Sequence, residues 1–145
     1  MVDDLYQEII IDHSKRPRNF HDMEDANRKA EGYNPLCGDK LKLYLRIEGD
    51  MVKDASFVGA GCAISTASAS LMTESLKGKS RAEALKLLDR FHELLTTDSP
   101  VSQELGKLVV FCGVRDYPAR VKCATLAWHT LKSALENKEE PVTTE

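Results

Sequence analysis

The first fifteen residues place apolar and polar side chains at the spacing of an amphipathic helix. Its apolar positions are Leu5, Tyr6, Ile9 and Ile10. Asp3 or Asp4 can cap this helix, and Pro17 is expected to end it. Residues 18–31 are mostly polar, and residues 32–35 (Gly-Tyr-Asn-Pro) predict a turn.

From residue 40 the apolar period changes to two, which indicates strands. One face of the first strand is apolar, with Leu41, Leu43, Leu45 and Ile47. Glu48-Gly49-Asp50 predicts a hairpin turn, and residues 51–58 form the expected returning strand.

The rest of the chain returns to helical spacing after the break at Gly59-Ala60-Gly61. Gly78 is expected to end the first of these helices, and Ser80 and Glu83 have the spacing of a capping box for the next. The predicted helix starts are Cys62, Ser80, Ser99-Pro100 and Tyr117-Pro118. A helix, a hairpin and then several helices indicate an α+β fold, with a small antiparallel sheet of about three strands packed against the helices.

Length and composition suit one globular domain, because 145 residues can bury a single core. We predict that residues 1–137 form this domain and that the polar residues 138–145 form a disordered tail. A net charge of −3 gives no basic surface for nucleic acid. No secretion signal or membrane-spanning run is expected, so the predicted compartment is the cytoplasm, where cysteines stay reduced.

Three of the four cysteines lie in settings that favour a metal site. Cys37 and Asp39 flank one glycine, and in extended backbone their side chains leave on the same side. Cys62 and Cys123 are each predicted in the first turn of a helix, where anions are stabilised, and Arg120 lies one turn before Cys123. Three thiolates and a carboxylate complete a tetrahedral set for zinc, and thiolates also suit copper(I) and iron–sulfur clusters. The spacing alone leaves open that the three cysteines are ordinary buried thiols.

The remaining candidate residues carry less chemistry. Cys112 lies in an apolar run and is interpreted as a small core residue. His13 and His21 have no ligand-like neighbours in sequence, and they are interpreted as surface or hydrogen-bonded structural residues.

Four blocks of sequence, in order along the chain, carry a family resemblance. They are residues 6–19, residues 35–39 (PLCGD), residues 61–71 (GCAISTASASL) and residues 122–128 (KCATLAW). Together they resemble the IscU/NifU-like iron–sulfur cluster scaffold family, including the NifU N-terminal domain. The resemblance runs from Leu5 to about Leu135.

Local departures point to the SufU branch of that family. The IscU branch has a histidine immediately before its third cysteine, whereas this chain has Lys122 before Cys123. The stretch that an Hsp70 chaperone reads in IscU is replaced here by residues 117–122 (YPARVK), in which Arg120 matches SufU. The long separation between Cys62 and Cys123 also resembles SufU.

The resemblance implies a zinc ion held by Cys37, Asp39, Cys62 and Cys123, and a SufS-type PLP cysteine desulfurase as partner. In the implied sulfur relay, a histidine of the partner takes over zinc ligation, and the freed Cys37 thiolate accepts persulfide sulfur for cluster assembly. Arg120 would stabilise that thiolate. The chain would then be a zinc-dependent sulfurtransferase and desulfurase activator, and its standing as an enzyme is left open.

Two alternatives use the same residues. One is a scaffold on which a [2Fe–2S] cluster is assembled and transferred to apo-proteins. The other is a zinc-stabilised interaction module without turnover. The branch markers favour sulfur transfer.

Overall fold

A computed structural model gives the fold and describes residues 2–35, 38–97, 103–136 and 142–143. The helices are α1 (Val2–Lys15), α2 (Ala63–Leu76), α3 (Arg81–Thr96) and α4 (Pro118–Leu135), with a 3-10 segment at Gln103–Asp116 between α3 and α4. The strands are β1 (Arg28–Asn34), β2 (Asp39–Glu48), β3 (Met51–Ala60) and β4 (Val142–Thr143).

The sheet has the strand order β3-β2-β1-β4, with β1, β2 and β3 antiparallel and β4 parallel to β1. The predicted α+β fold, a three-stranded antiparallel sheet packed against helices, is therefore confirmed. Only Val142 and Thr143 of the predicted tail are described, and they pair with Gly32 and Tyr33 of β1. The division into a domain at 1–137 and a disordered tail at 138–145 stays a prediction.

Strand β1 corrects the prediction of a polar stretch ending in a turn at residues 32–35. Its buried positions are Ala30, Gly32 and Asn34, which alternate with more exposed residues. This inward face is too small and polar to give a hydrophobic alternation in the sequence. Gly32 has a packing reason, because a Cβ there would collide with the Thr130 side chain of α4. The glycine thus lets α4 lie directly against the strand.

The helix predicted to open at Ser99-Pro100 is also different. Ser99 and Pro100 lie outside the described residues, and the described Gln103–Asp116 is a 3-10 segment rather than an α-helix. Gly106 breaks it with a positive φ of 53°, a conformation that glycine adopts without steric cost. Within the described ranges, no helix combines the length and apolar character needed to cross a membrane.

The core fixes α2 and α4 against the sheet and against each other. Trp128 of α4 is 2% exposed and stacks on Phe91 of α3 at 4.7 Å between ring centroids. The Ser68 hydroxyl of α2 donates to the Ala124 carbonyl of α4 at 2.5 Å and accepts from Trp128 Nε1 at 3.1 Å. The predicted capping box of Ser80 and Glu83 is confirmed at the start of α3. These contacts hold α2 and α4, which carry two of the predicted ligands, in fixed relation.

Candidate metal centre

Asp39, Cys62 and Cys123 converge from three distant parts of the chain. Their ligand atoms all lie within 4.8 Å of one another, and among the described residues no other group of three metal-ligating side chains does so. Asp39 begins β2, Cys62 immediately precedes α2, and Cys123 lies within α4. The structure thus brings together three of the four predicted ligands.

The Asp39 carboxylate is buried and held from two sides. The side chain is 1% exposed. Its Oδ1 accepts from the Cys62 backbone N–H at 2.8 Å, and its Oδ2 accepts from Asn34 Nδ2 at 3.3 Å. Gly61 leaves the room that this requires, because a Cβ there would lie 2.5 Å from Asp39 Oδ1. The glycine before Cys62 therefore admits the carboxylate as well as ending the strand.

Cys62 is the N-cap of α2, as the sequence predicted for a residue opening a helix. Its backbone is extended, with φ −72° and ψ 167°, and its Sγ accepts from the Ser65 N–H at 3.4 Å. An N-cap side chain faces backbone N–H groups that have no partner within the helix, and the Cys62 sulfur accepts one of them. Cys62 as a residue is half-buried.

Cys123 differs from its prediction in one respect. It is the sixth residue of α4, which begins at Pro118, so it lies in the second turn rather than the first. At 3.6 residues a turn, the unsatisfied N–H groups of the helix start no longer stabilise its sulfur. The side chain is 3% exposed, and its Sγ receives a hydrogen bond from Asn34 Nδ2 at 3.4 Å. A side-chain amide, rather than the helix terminus, is its nearby donor.

Cys37 lies outside the described residues. Its described neighbours in sequence, Pro35 and Gly38, are exposed. Asn34 and Asp39, on either side of this connection, are paired across the β1–β2 ladder. In sequence, Cys37 belongs to the connection between β1 and β2, two residues before Asp39.

Two basic residues lie near Cys123 in sequence. Arg120 is exposed, and its guanidinium lies 4.8 Å from the centre of the Tyr117 ring. Lys122 lines a separate cavity of about 470 Å³ together with Leu95 and Arg115. The role predicted for Arg120 at a released thiolate stays a prediction.

The remaining candidate residues, Cys112, His21 and His13, are not part of the cluster of Asp39, Cys62 and Cys123. Cys112 is a half-buried free thiol packed against the core. His21 is exposed and contacts the Asp22 carbonyl. His13 is 3% exposed, its Nδ1 lies 2.7 Å from the Ser70 hydroxyl, and burial is the main cause that lowers its pKa. These contacts agree with the structural interpretation of both histidines.

Asn34 is the residue of the centre that sequence reasoning missed. It is fully buried, and its amide nitrogen contacts both Asp39 and Cys123. In sequence it resembles a turn residue beside Gly32 and Pro35. A strand assignment for β1 would have revealed it, because Asn34 is the cross-strand partner of Asp39.

The three described donors fit a tetrahedral zinc ion. Zinc bonds of about 2.3 Å to sulfur and about 2.1 Å to oxygen hold neighbouring ligand atoms roughly 3.6 Å apart. Cys62 Sγ and Asp39 Oδ2 are 3.9 Å apart, and the other separations are at most 4.8 Å. Shifts on the order of 1 Å would bring the set to tetrahedral geometry. The donor set leaves one corner for a fourth ligand.

Comparison with known proteins identifies the family to which this sequence is similar. Residues 5–124 match the NifU-like N terminal domain family. The zinc-dependent sulfurtransferase SufU of Bacillus subtilis is 40% identical, with 95% of this chain and 94% of that protein covered. The iron-sulfur cluster assembly scaffold protein IscU of Streptococcus pyogenes is 43% identical, with 91% and 83% covered.

A solved structure extends the agreement to the fold. The N-terminal part of a nitrogen-fixing NifU-like protein from Brucella abortus superposes with a TM-score of 0.85, covering 94% of this chain and 95% of that one. Its identity is 23%, so it supports the fold alone. With most of its length matched by the family and by relatives at 40% identity or more, this chain belongs to the IscU/NifU family.

Proposed function

We propose that this protein is a zinc-dependent sulfur acceptor of iron–sulfur cluster assembly. Zinc would be held by Asp39, Cys62, Cys123 and Cys37, and Cys37 would be the thiol that receives sulfur. The observation that carries the proposal is the convergence of Asp39, Cys62 and Cys123 within 4.8 Å beside the connection that contains Cys37. The likeness to a zinc-dependent sulfurtransferase over 95% of the chain supports it.

Unequal exposure supports different roles for the ligands. Asp39 and Cys123 are almost fully buried, and Asp39 is pinned by a backbone N–H, so neither is presented to a large partner. Pro35 and Gly38, which flank Cys37 and its neighbour Leu36, are exposed. A sulfur donor on another protein would therefore reach Pro35 and Gly38 more readily than the buried Asp39 and Cys123. Asp39 and Cys123 would anchor the ion while Cys37 reacts.

The sulfur step conserves atoms and electrons. A Cys37 thiolate attacks the outer sulfur of a persulfide on the partner, forming an S–S bond. The S–S bond of the donor breaks, and its electron pair leaves with the partner's cysteine as a thiolate. The product is a Cys37 persulfide, and no external oxidant or reductant is required. Bound zinc would supply Lewis acidity that keeps its sulfur ligands deprotonated at neutral pH.

The partner is then a PLP-dependent cysteine desulfurase of the SufS type, since such an enzyme carries a cysteine persulfide. The acceptors that follow are assembly proteins or apo-proteins. Sulfur transfer by a cysteine thiolate requires a reducing compartment, which favours the cytoplasm. Arg120, which contacts the Tyr117 ring, would stabilise the released Cys37 thiolate.

A second candidate is a scaffold that builds a [2Fe–2S] cluster, its cargo, on the same cysteines. The observation that favours it is the 43% identity to a protein named as an IscU scaffold. Thiolate-rich tetrahedral sites accept zinc or iron. A colourless purified protein with one tightly bound zinc supports sulfur transfer, whereas a reddish-brown protein that contains iron and sulfide supports the scaffold.

The test measures desulfurase turnover with and without this protein. We expect wild-type protein to raise turnover sharply, and Cys37→Ala to abolish the rise. Mass spectrometry should find one added sulfur atom on Cys37 after a single turnover. Cys112→Ala is the matched control, because this thiol is not part of the cluster, and it should behave like wild type. Full stimulation by Cys37→Ala would refute the acceptor role.

A further inference from the structure

The buried amide of Asn34 contacts two of the proposed ligands at once. Its Nδ2 lies 3.3 Å from Asp39 Oδ2 and 3.4 Å from Cys123 Sγ, and the side chain is fully buried. An amide NH2 group carries two hydrogens, so it can donate to an oxygen and a sulfur simultaneously. We propose that Asn34 is the positioning residue of the metal centre, which sets the geometry and the charge balance of Asp39 and Cys123. This inference rests on the proposed zinc site.

The orientation of the amide follows from the chemistry of its neighbours. Metal-bound carboxylate and thiolate groups only accept hydrogen bonds, which matches the NH2 group, rather than the carbonyl oxygen, facing Asp39 and Cys123. Asn34 Oδ1 is buried and finds no hydrogen-bond partner among the described residues. The described hydrogen bonds of this side chain therefore all go to the proposed ligands. This arrangement supports a role of the amide in orienting the two ligands.

The register of the sheet fixes the amide in place. Asn34 and Asp39 are the last pair of the β1–β2 ladder, so their side chains lie on the same face. Cys123 reaches them from α4, which packs against β1 at Gly32. The amide thereby joins the sheet to the helix at the metal centre. Asn34 is thus hydrogen-bonded to one proposed ligand on the sheet and to one on the helix.

The hydrogen bonds of the Asn34 amide also bear on the excess negative charge of the proposed ligands. Three thiolates and one carboxylate carry four negative charges against the two positive charges of zinc. Of the basic residues near Cys123 in sequence, Arg120 contacts the Tyr117 ring and Lys122 lines a separate cavity. Hydrogen bonds from a neutral amide withdraw charge from the ligands without placing a cation against the metal. They also hold both ligands in place when the metal is absent.

The experiment measures zinc affinity of the full chain by competition with a chromogenic chelator. We expect Asn34→Ala to weaken binding by about 10- to 100-fold, the range found when partners of metal ligands are removed. Asn34→Asp keeps the shape but puts a negative charge against Asp39 and Cys123, so its loss should be larger. Asn34→Ser retains one donor and should fall between wild type and Asn34→Ala. Ser56→Ala is the control, because Ser56 is equally buried in the sheet and its hydroxyl finds no described partner.

A spectroscopic readout separates positioning from general stability. Cobalt(II) in place of zinc gives a thiolate-to-metal charge-transfer band, whose energy rises when the sulfur accepts a hydrogen bond. Loss of the bond to Cys123 in Asn34→Ala should move this band to longer wavelength, and Ser56→Ala should leave it unchanged. Far-UV circular dichroism selects the variants that fold, and Asn34→Ser, the mildest change, keeps the test available if the others unfold.

The outcomes distinguish this inference from the proposed function. Wild-type affinity and an unmoved cobalt band in a folded Asn34→Ala or Asn34→Ser variant would overturn the role of Asn34 and leave sulfur transfer intact. Zinc binding that depends on Asn34, in a protein that does not stimulate a desulfurase, would support the role of Asn34 and refute sulfur transfer. A wild-type chain that binds neither zinc nor cobalt would overturn both.

Discussion

Replacing Gly61 by alanine should weaken the metal centre through one steric contact. The added Cβ would lie 2.5 Å from Asp39 Oδ1, 3.1 Å from its Cγ and 3.2 Å from its Cβ. Ordinary van der Waals contact begins at 3.4 Å, so the carboxylate oxygen must move by about 0.9 Å (3.4 − 2.5 Å). Asp39 has little freedom to do so, because it is 1% exposed and bound to the Cys62 N–H at 2.8 Å.

The expected loss of zinc affinity follows from how little metal–ligand distances can vary. Ligand distances are held to about 0.2 Å, so a displacement of roughly 0.9 Å removes Asp39 from productive geometry. We expect zinc affinity to fall about 10- to 100-fold, equivalent to about 1.4–2.7 kcal/mol. Chelator competition gives the affinity, and circular dichroism verifies the fold. Gly113→Ala is the matched control, since a Cβ there meets nothing within 4 Å.

A double-mutant cycle tests whether the effect passes through the carboxylate. In an Asp39→Ala background the oxygen that the new methyl would strike is gone, so Gly61→Ala should add little further loss. Two results would refute the reasoning. One is a Gly61→Ala protein that binds zinc within about threefold of wild type, below the expected range. The other is an equally large loss with and without Asp39.

Two further predictions concern stability. Burial is the main cause that lowers the pKa of His13, so its folded pKa lies below the unfolded value of about 6.5. The contribution of neutral His13 to the free energy of unfolding is then fully present above about pH 6.5 and is lost as the pH falls. His13→Asn, whose side chain can still hydrogen-bond to Ser70, should remove part of this pH dependence in urea unfolding between about pH 7 and pH 5. An unchanged pH dependence would contradict this. Ser68→Ala leaves the buried Trp128 N–H without its acceptor and should lower the free energy of unfolding in urea by about 1–3 kcal/mol. Ser75→Ala should lower it less, because the described hydrogen bond of Ser75 goes only to its own helix. Equal losses in the two variants would contradict this.

Much of the architecture was predictable because its signals are local. The apolar alternation of residues 41–47 predicted β2, and the capping-box spacing of Ser80 and Glu83 predicted the start of α3. Cys62 was predicted to open a helix and is its N-cap. Each signal lies within a few residues of the element that it specifies, so no knowledge of the tertiary fold was needed.

Strand β1 was missed because its signal is not local. Its buried face consists of Ala30, Gly32 and Asn34, which carry almost no hydrophobic pattern. Pairing with β2 and close packing of α4 on Gly32 stabilise it as a strand. Propensity favoured a turn, and tertiary contacts overrode that propensity.

The sequence by itself predicted the donor groups of this protein, which are three cysteine sulfurs and one carboxylate in motifs that resemble a known family. Only the tertiary structure decided how these groups meet. In the structure Asp39 is buried against Gly61, Cys123 lies in the second turn of α4, and the amide of Asn34 contacts both Asp39 and Cys123. The reason is physical: side-chain type is encoded residue by residue, whereas a hydrogen bond between residues 89 positions apart exists only after the strand and the helix have packed.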